Sequence, residues 1–376
     1  MTSKVENINK DILHQCREQI GLSLFEVGKK INKITAIEDG LRKPTFNQLN
    51  TLAELYKVPR WVFVSDTLPE EYQFNKAVTA FRQFADDRTE LFSNHKVRSL
   101  TTKVERLRNL ILELRDDMGE TIEPFEPPVL QNIASPNITA KQVREWLSIA
   151  ESLDFPEWKE QLESKGIFVF MTSKYKDWSH IDKELFRGLA LYHQTLPVII
   201  INDSDSKKAQ SFTLFHELGH LLRKESAIDD WDDLNKQEEK WCDELAGNVL
   251  MPVDQFRAAV HDIGDLDAVK SIARGFKASA YACLVRLRQL QIIDQATYTD
   301  FEYQLKEEYA KLQKKLKKSN RGTSRNRPRE VLDQYGHIYV NVVFQAYRNQ
   351  EIGLHKLCRL FGLKKSSYAL ELERKL

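Results

Sequence analysis

The chain predicts a mostly helical α+β protein, and three observations carry that prediction. Apolar residues recur at helical spacing along most of its 376 residues. Three short β-branched and aromatic runs, IFVFMT (167–172), FRGLALYH (186–193) and PVIIIN (197–202), read as strands of one small sheet. A helix from about Ala209 to Leu222 follows them, and another from 237 to 250 is stopped by Pro252.

The elements divide the chain into four stretches. Residues 1–70 read as a bundle of short helices, with Ile12, Leu13, Cys16 and Ile20, then Leu24, Val27 and Ile31, then Leu49, Leu52, Ala53 and Leu55 as apolar stripes. Ser23 with Glu26 forms a capping-box pattern, and Pro44-Thr45 opens the last helix. Residues 71–138 read as a charged helical connector ending in a proline-rich arm with Pro124, Pro127, Pro128 and Pro136. Residues 139–295 hold the sheet and its helices, starting with one helix over 139–165 that carries Trp146, Leu147, Ala150 and Leu153. Residues 296–376 are helical again, crossed by KLQKKLKKSNRGTSRNRPR (311–329), which has nine Lys or Arg and no acid. Lacking interleaved aromatics, that run reads as a solvated connector rather than a nucleic-acid platform.

Composition excludes some classes. Lys and Arg total 56 against 55 Asp and Glu, so net charge argues for no particular partner. The four cysteines, Cys16, Cys242, Cys283 and Cys358, share no CxxC spacing and suit a reducing compartment. Neither a signal-peptide core nor a run of about 18 apolar residues is present. The expectation is a cytoplasmic protein without a membrane partner.

The chemistry concentrates in SFTLFHELGHLL (211–222), where His216-Glu217-Leu218-Gly219-His220 fits H-E-x-x-H. Residues four apart share a helix face, so both imidazoles can reach one metal ion. Glu217, one position on, is placed to act as general base toward a water. Metal-assisted peptide hydrolysis needs this set. Two histidines leave a catalytic zinc one protein ligand short. In ESAIDDWDDLNKQEEKWCDELAGNVLMP (225–252), Glu239 and Asp243 stand at i, i+4 on an otherwise apolar helix. One face can then supply Glu239 as third ligand and Asp243 as the acceptor behind a histidine. Glu238 and Glu244 are rival ligands, and Cys242 is read as packing. One zinc per chain is expected, although imidazole and carboxylate also accept manganese. His180 and His193 lie near the strands and are read as structural or surface histidines.

SFTLFHELGHLL followed by EKWCDELAGNVLMP resembles the ImmA/IrrE family of bacterial metallopeptidases, and FRGLALYHQTLPVIIIN is similar to the strand pair before its motif helix. The resemblance spans about residues 140–290. It implies a gluzincin-like core, His216, His220 and Glu239 as ligands, and Glu217 as catalytic base. Asp243 stands where many relatives carry Asn, and both accept a hydrogen bond. The resemblance further implies a regulatory endopeptidase acting in a phage or stress response, on a helix-turn-helix repressor or a toxin–antitoxin component.

Residues 12–65 resemble the helix-turn-helix of phage-repressor-like regulators, most specifically in IEDGLRKPTFNQL. The stretch between Ile31 and Glu38 is shorter than in those regulators, at the point where the groove-reading helix begins. Lys29, Lys30, Lys33, Arg42 and Lys43 are the candidate phosphate contacts if this module meets DNA. The competing reading is a DNA-binding regulator or antitoxin whose peptidase fold is an interaction scaffold.

Overall fold

The computed structural model describes residues 4–69, 72, 94–127, 135–175, 178–182, 185–223, 234–318 and 325–376. It divides into two compact units, Met1–Leu110 and Ile111–Leu376. The fold is α+β and mostly helical, with one three-stranded sheet among the described residues. No helix among them is long and apolar enough to cross a membrane.

In the first unit, helices α1 (Lys10–Ile20), α2 (Leu24–Gly28), α3 (Ile34–Glu38) and α4 (Phe46–Tyr56) are followed by a 3-10 turn, Arg60–Val64. The capping boxes Ser23/Glu26 and Thr45/Gln48 start α2 and α4 by satisfying N–H groups that have no helical partner. Ile12, Leu13, Val27, Ile37, Leu49, Leu52 and Phe63 fill the core. Helix α5 (His95–Asp117) begins in this unit; residues 73–93 of the expected connector lie outside the described residues.

In the second unit, the helix expected over 139–165 is two helices, α6 (Pro136–Trp146) and α7 (Phe155–Ser164). Ser148 takes a left-handed φ of 56°, and Asp154 with Glu157 makes a capping box in front of Pro156, so the chain restarts there. Strands β1 (Phe168–Met171), β2 (Gly188–Leu191) and β3 (Val198–Ile201) follow. Their order is β1-β3-β2, with β1 parallel and β2 antiparallel to β3. Helix α8 (Lys207–Arg223) covers one sheet face and α9 (Leu234–Leu250) packs on α8 and α6, so that Val169, Met171, Ala190, Ile199 and Ile201 join Leu214, Leu218 and Leu245 in one core. Phe168 and Phe170 point the other way, against Tyr339 and Tyr335. Helices α10 (Val253–Ala259), α11 (Leu266–Gly275) and α12 (Ala280–Gln289) extend the α9 side.

The basic run expected as a connector is helical at its start, because α13 runs Gln295–Lys318. Lysine is a good helix former, and charge alone does not unwind a helix. Helix α14 (Arg327–Arg348) then packs on β1, and α15 (Leu354–Leu360) and α16 (Ser366–Glu373) close the chain. Gly336 interrupts α14 with φ 72° and ψ 174°. A Cβ there would run into the Glu163 carboxylate, whose Oε2 accepts the His337 N–H at 2.9 Å.

Candidate metal centre

Helix α8 presents His216 and His220 one turn apart on a segment whose neighbours Leu214, Phe215, Leu218 and Leu221 are buried. Helix α9 lies against it closely enough that a Cβ on Gly219 would meet Cys242 Sγ at 2.9 Å and Cys242 Cα at 3.3 Å. The glycine inside HELGH therefore permits the approach, and Cys242 is the packing partner. This approach brings Glu239 to the histidines.

The three ligand atoms converge. His216 Nε2 stands 3.1 Å from His220 Nε2 and 3.1 Å from Glu239 Oε2, and His220 Nε2 is 3.4 Å from Glu239 Oε1. Ligands about 2.0–2.1 Å from a tetrahedral ion stand about 3.3–3.4 Å apart, so the spacing fits such an ion. Among the described residues, His216, His220 and Glu239 are the group that could hold a metal. Glu238 and Glu244 fall outside it.

The chain also orients the ligands. His216 Nδ1 lies 2.9 Å from Asp243 Oδ1, an acceptor that holds a proton on that nitrogen and turns Nε2 to the cluster. Burial disfavours a charged His216, but hydrogen bonds to Asp243 and Glu239 outweigh it and push the imidazole up to about 10. The surroundings thus favour positive charge at this point. His220 Nδ1 faces Glu238 Oε1 at 3.5 Å and Cys242 Sγ at 3.7 Å, both long for hydrogen bonds but on the side away from the cluster.

Glu217 is buried, 4% exposed, and its Oε2 has no hydrogen-bond partner. An orphaned carboxylate oxygen is costly unless a water or substrate group meets it. Its seat depends on β2, because a Cβ on Gly188 would meet Glu217 Oε1 at 2.8 Å and Cγ at 2.9 Å. Sequence spacing does not reveal Gly188, nor Glu238 behind His220. The second could have been sought by asking what each ligand histidine's other nitrogen faces.

Strand β2 ends the sheet among the described residues. Asn202 donates its N–H to the Arg187 carbonyl at 2.9 Å, and hydrogen-bonded pairs alternate along an antiparallel ladder. Gly188 and Ala190 therefore turn their backbone N–H and C=O groups away from β3, beside Glu217.

Residues 163–288 match the IrrE N-terminal-like domain family, Peptidase_M78. This segment belongs to that family. The match covers β1 to β3, α8 and α9, the two helices that carry the convergent cluster. No curated protein matches the chain. Among solved structures, a Mycobacterium tuberculosis transcriptional regulator is similar at 15% identity and TM-score 0.31, over 40% of this chain and 46% of that one. At that score the likeness carries no argument.

The remaining candidates lie elsewhere. His180 is held by the Ser173 carbonyl at 2.8 Å and by Asp182 at 3.6 Å, a structural arrangement. Lys29, Lys30, Lys33, Arg42 and Lys43 are all exposed in the first unit. Lys29 sits over the Phe25 ring, and Lys43 pairs with Glu6 at 2.7 Å. Helix α3, where groove reading is expected, has five residues.

Proposed function

We propose that this chain is a zinc-dependent regulatory endopeptidase that cuts an intracellular protein partner. The observation that carries the reading is the convergence of His216 Nε2, His220 Nε2 and Glu239 within 3.4 Å beside the unpartnered Glu217 Oε2. His216, His220 and Glu239 would hold the ion, with Asp243 fixing the His216 tautomer. A bound zinc supplies Lewis acidity, polarising a carbonyl and lowering the pKa of water to about 7.

The chain's own residues do the rest. Glu217 is placed to take a proton from the attacking water and pass it to the leaving amine, and its burial keeps bulk water from competing. The outward backbone groups of Gly188 and Ala190 offer an extended peptide a ladder to pair with. A loop or unfolded segment fits that edge, whereas a folded helix does not. The resemblance to ImmA/IrrE proteins makes a helix-turn-helix repressor or a toxin–antitoxin component the favoured substrate.

Elemental analysis of the full chain tests the site. About one zinc per chain is expected, lost or weakened in Glu239→Ala. Glu217→Gln should retain the metal and lower cleavage of the partner by about 10²–10⁴-fold. If Glu217→Gln cleaves and signals like wild type, the enzymatic reading fails and the domain acts as an interaction scaffold in a regulator.

A further inference from the structure

Behind the sheet, on the face turned from α8, the second unit holds a cavity of about 520 Å3. Ligand pockets span about 300–1,000 Å3, so it is large enough for a mononucleotide-sized molecule. Its floor is aromatic and fixed. Trp178 and Tyr335 both pack on Phe170, with centroids 5.8 and 5.7 Å away, and Tyr335 stacks on Tyr339 at 5.0 Å. Phe361 and Tyr368, the latter on the first turn of α16, add two more rings to the lining.

The rest of the lining carries four basic side chains beside Gln334, Gly362 and Leu363. Arg325, Arg327, Lys364 and Lys365 face the cavity, and no acidic residue is among the described residues that line it. Just outside, Glu330 accepts from both arginines, at 2.8 Å from Arg325 Nη2 and 2.7 Å from Arg327 Nη1. One carboxylate against two guanidiniums leaves net positive charge, and each guanidinium has five N–H donors to place. Glu330 therefore orients the pair without neutralising it. Helix α16 begins at this wall with Lys365 as N-cap and no side chain capping its first N–H groups, an end that favours an anion.

We propose that this cavity binds a nucleoside phosphate, with the base on the Trp178 and Tyr335 floor and the phosphate against Arg327, Lys364 and Lys365. An apolar ligand would make no use of the basic side of the lining, and inorganic phosphate would leave the aromatic floor unused. A free nucleotide and an unpaired nucleotide of a single strand share this chemistry. The site is separate from the metal cluster, since the sheet lies between them.

The test is calorimetric titration of the full-length chain with AMP, GMP, ATP, inorganic phosphate and a short single-stranded oligonucleotide. At least one nucleoside phosphate should bind at one per chain, with inorganic phosphate at least about tenfold weaker. The double variant Lys364→Glu/Lys365→Glu, whose positions are exposed, should weaken binding at least about tenfold while zinc content stays unchanged. Tyr368→Ala should weaken the nucleotide and leave phosphate unaffected, which separates lost stacking from lost charge. An oligonucleotide that outbinds AMP and GMP assigns the site to a strand; one that does not assigns it to free nucleotide. No binding of any nucleoside phosphate at millimolar concentration would overturn the proposal. So would binding indifferent to both variants, or phosphate binding as tightly as the nucleotides.

Discussion

Two polar clusters, one in each unit, both use carboxylates against basic side chains and end differently. In the first unit Glu38 accepts from Arg17 Nε at 2.9 and 3.0 Å and from the Tyr56 hydroxyl at 3.2 Å. Arg17 Nη1 donates onward to the Leu22 carbonyl at 3.0 Å. The chain supplies both charge and countercharge, and the cluster closes on itself. In the second unit two imidazoles and Glu239 aim their ligand atoms at one point in space, with Asp243 behind. A closed network ties α1 to α3 and α4; a convergent one is built to receive something.

That contrast predicts opposite consequences for removing one member. Arg17→Ala strands the buried Glu38 carboxylate and should destabilise the first unit by about 3–5 kcal/mol, read from chemical denaturation. Glu239→Ala removes a half-exposed carboxylate from the second cluster and should cost metal rather than fold stability. If thermal melting of the metal-free protein falls as far for Glu239→Ala as for Arg17→Ala, the second cluster is a structural network and the comparison breaks.

Smaller, but directed at the metal, is Asp243→Ala. It frees His216 Nδ1 from the acceptor that fixes its tautomer, and metal affinity should drop by about 10–100-fold in a chelator competition assay. An unchanged affinity would show that packing alone orients the ring.

How far each cluster could be read beforehand follows from the range of its contacts. His216, Glu217 and His220 sit on one helix, and Glu239 and Asp243 on another, so helical period alone groups them into two faces. The strand runs announce themselves because they are apolar on both sides, and here both faces of the sheet are covered. What spacing does not carry is which residue a distant element sets beside the site. Gly188 against Glu217, Cys242 against Gly219 and Glu238 behind His220 all join separate elements. The break between α6 and α7 was legible in Pro156 but hidden under an apolar stripe. The basic run from Lys311 has a loop-like charge density, yet it is helical as far as Lys318, because propensity and solvation are compatible there.

A third cluster tests whether a buried carboxylate can be structural without being fully answered. Glu163 lies 4.0 Å from Lys159, beyond hydrogen-bond distance, while Lys159 donates to the Asp333 carbonyl at 2.6 Å. Burial raises Glu163 from its ordinary 4.5 to about 7, and Lys159 and the His337 N–H offset only part of that. The folded form therefore keeps this proton where the unfolded chain has lost it. Stability should fall as pH rises from about 4.5 to about 7, by about 1–3 kcal/mol relative to Glu163→Gln, which should show no such difference. A wild-type slope matching the variant would mean that Lys159 compensates Glu163 as fully as Arg17 compensates Glu38.

The finest distinction is charge against acceptor at position 243. Asp243→Asn keeps an oxygen that can accept from His216 Nδ1 and removes only the negative charge. If tautomer and ring orientation are what the residue provides, zinc affinity should fall by less than about tenfold, and much less than in Asp243→Ala. If Asn and Ala weaken binding equally, the charge itself is what the convergent cluster requires. The second unit would then resemble the first in balancing charge, with the metal taking the place that Arg17 holds beside Glu38.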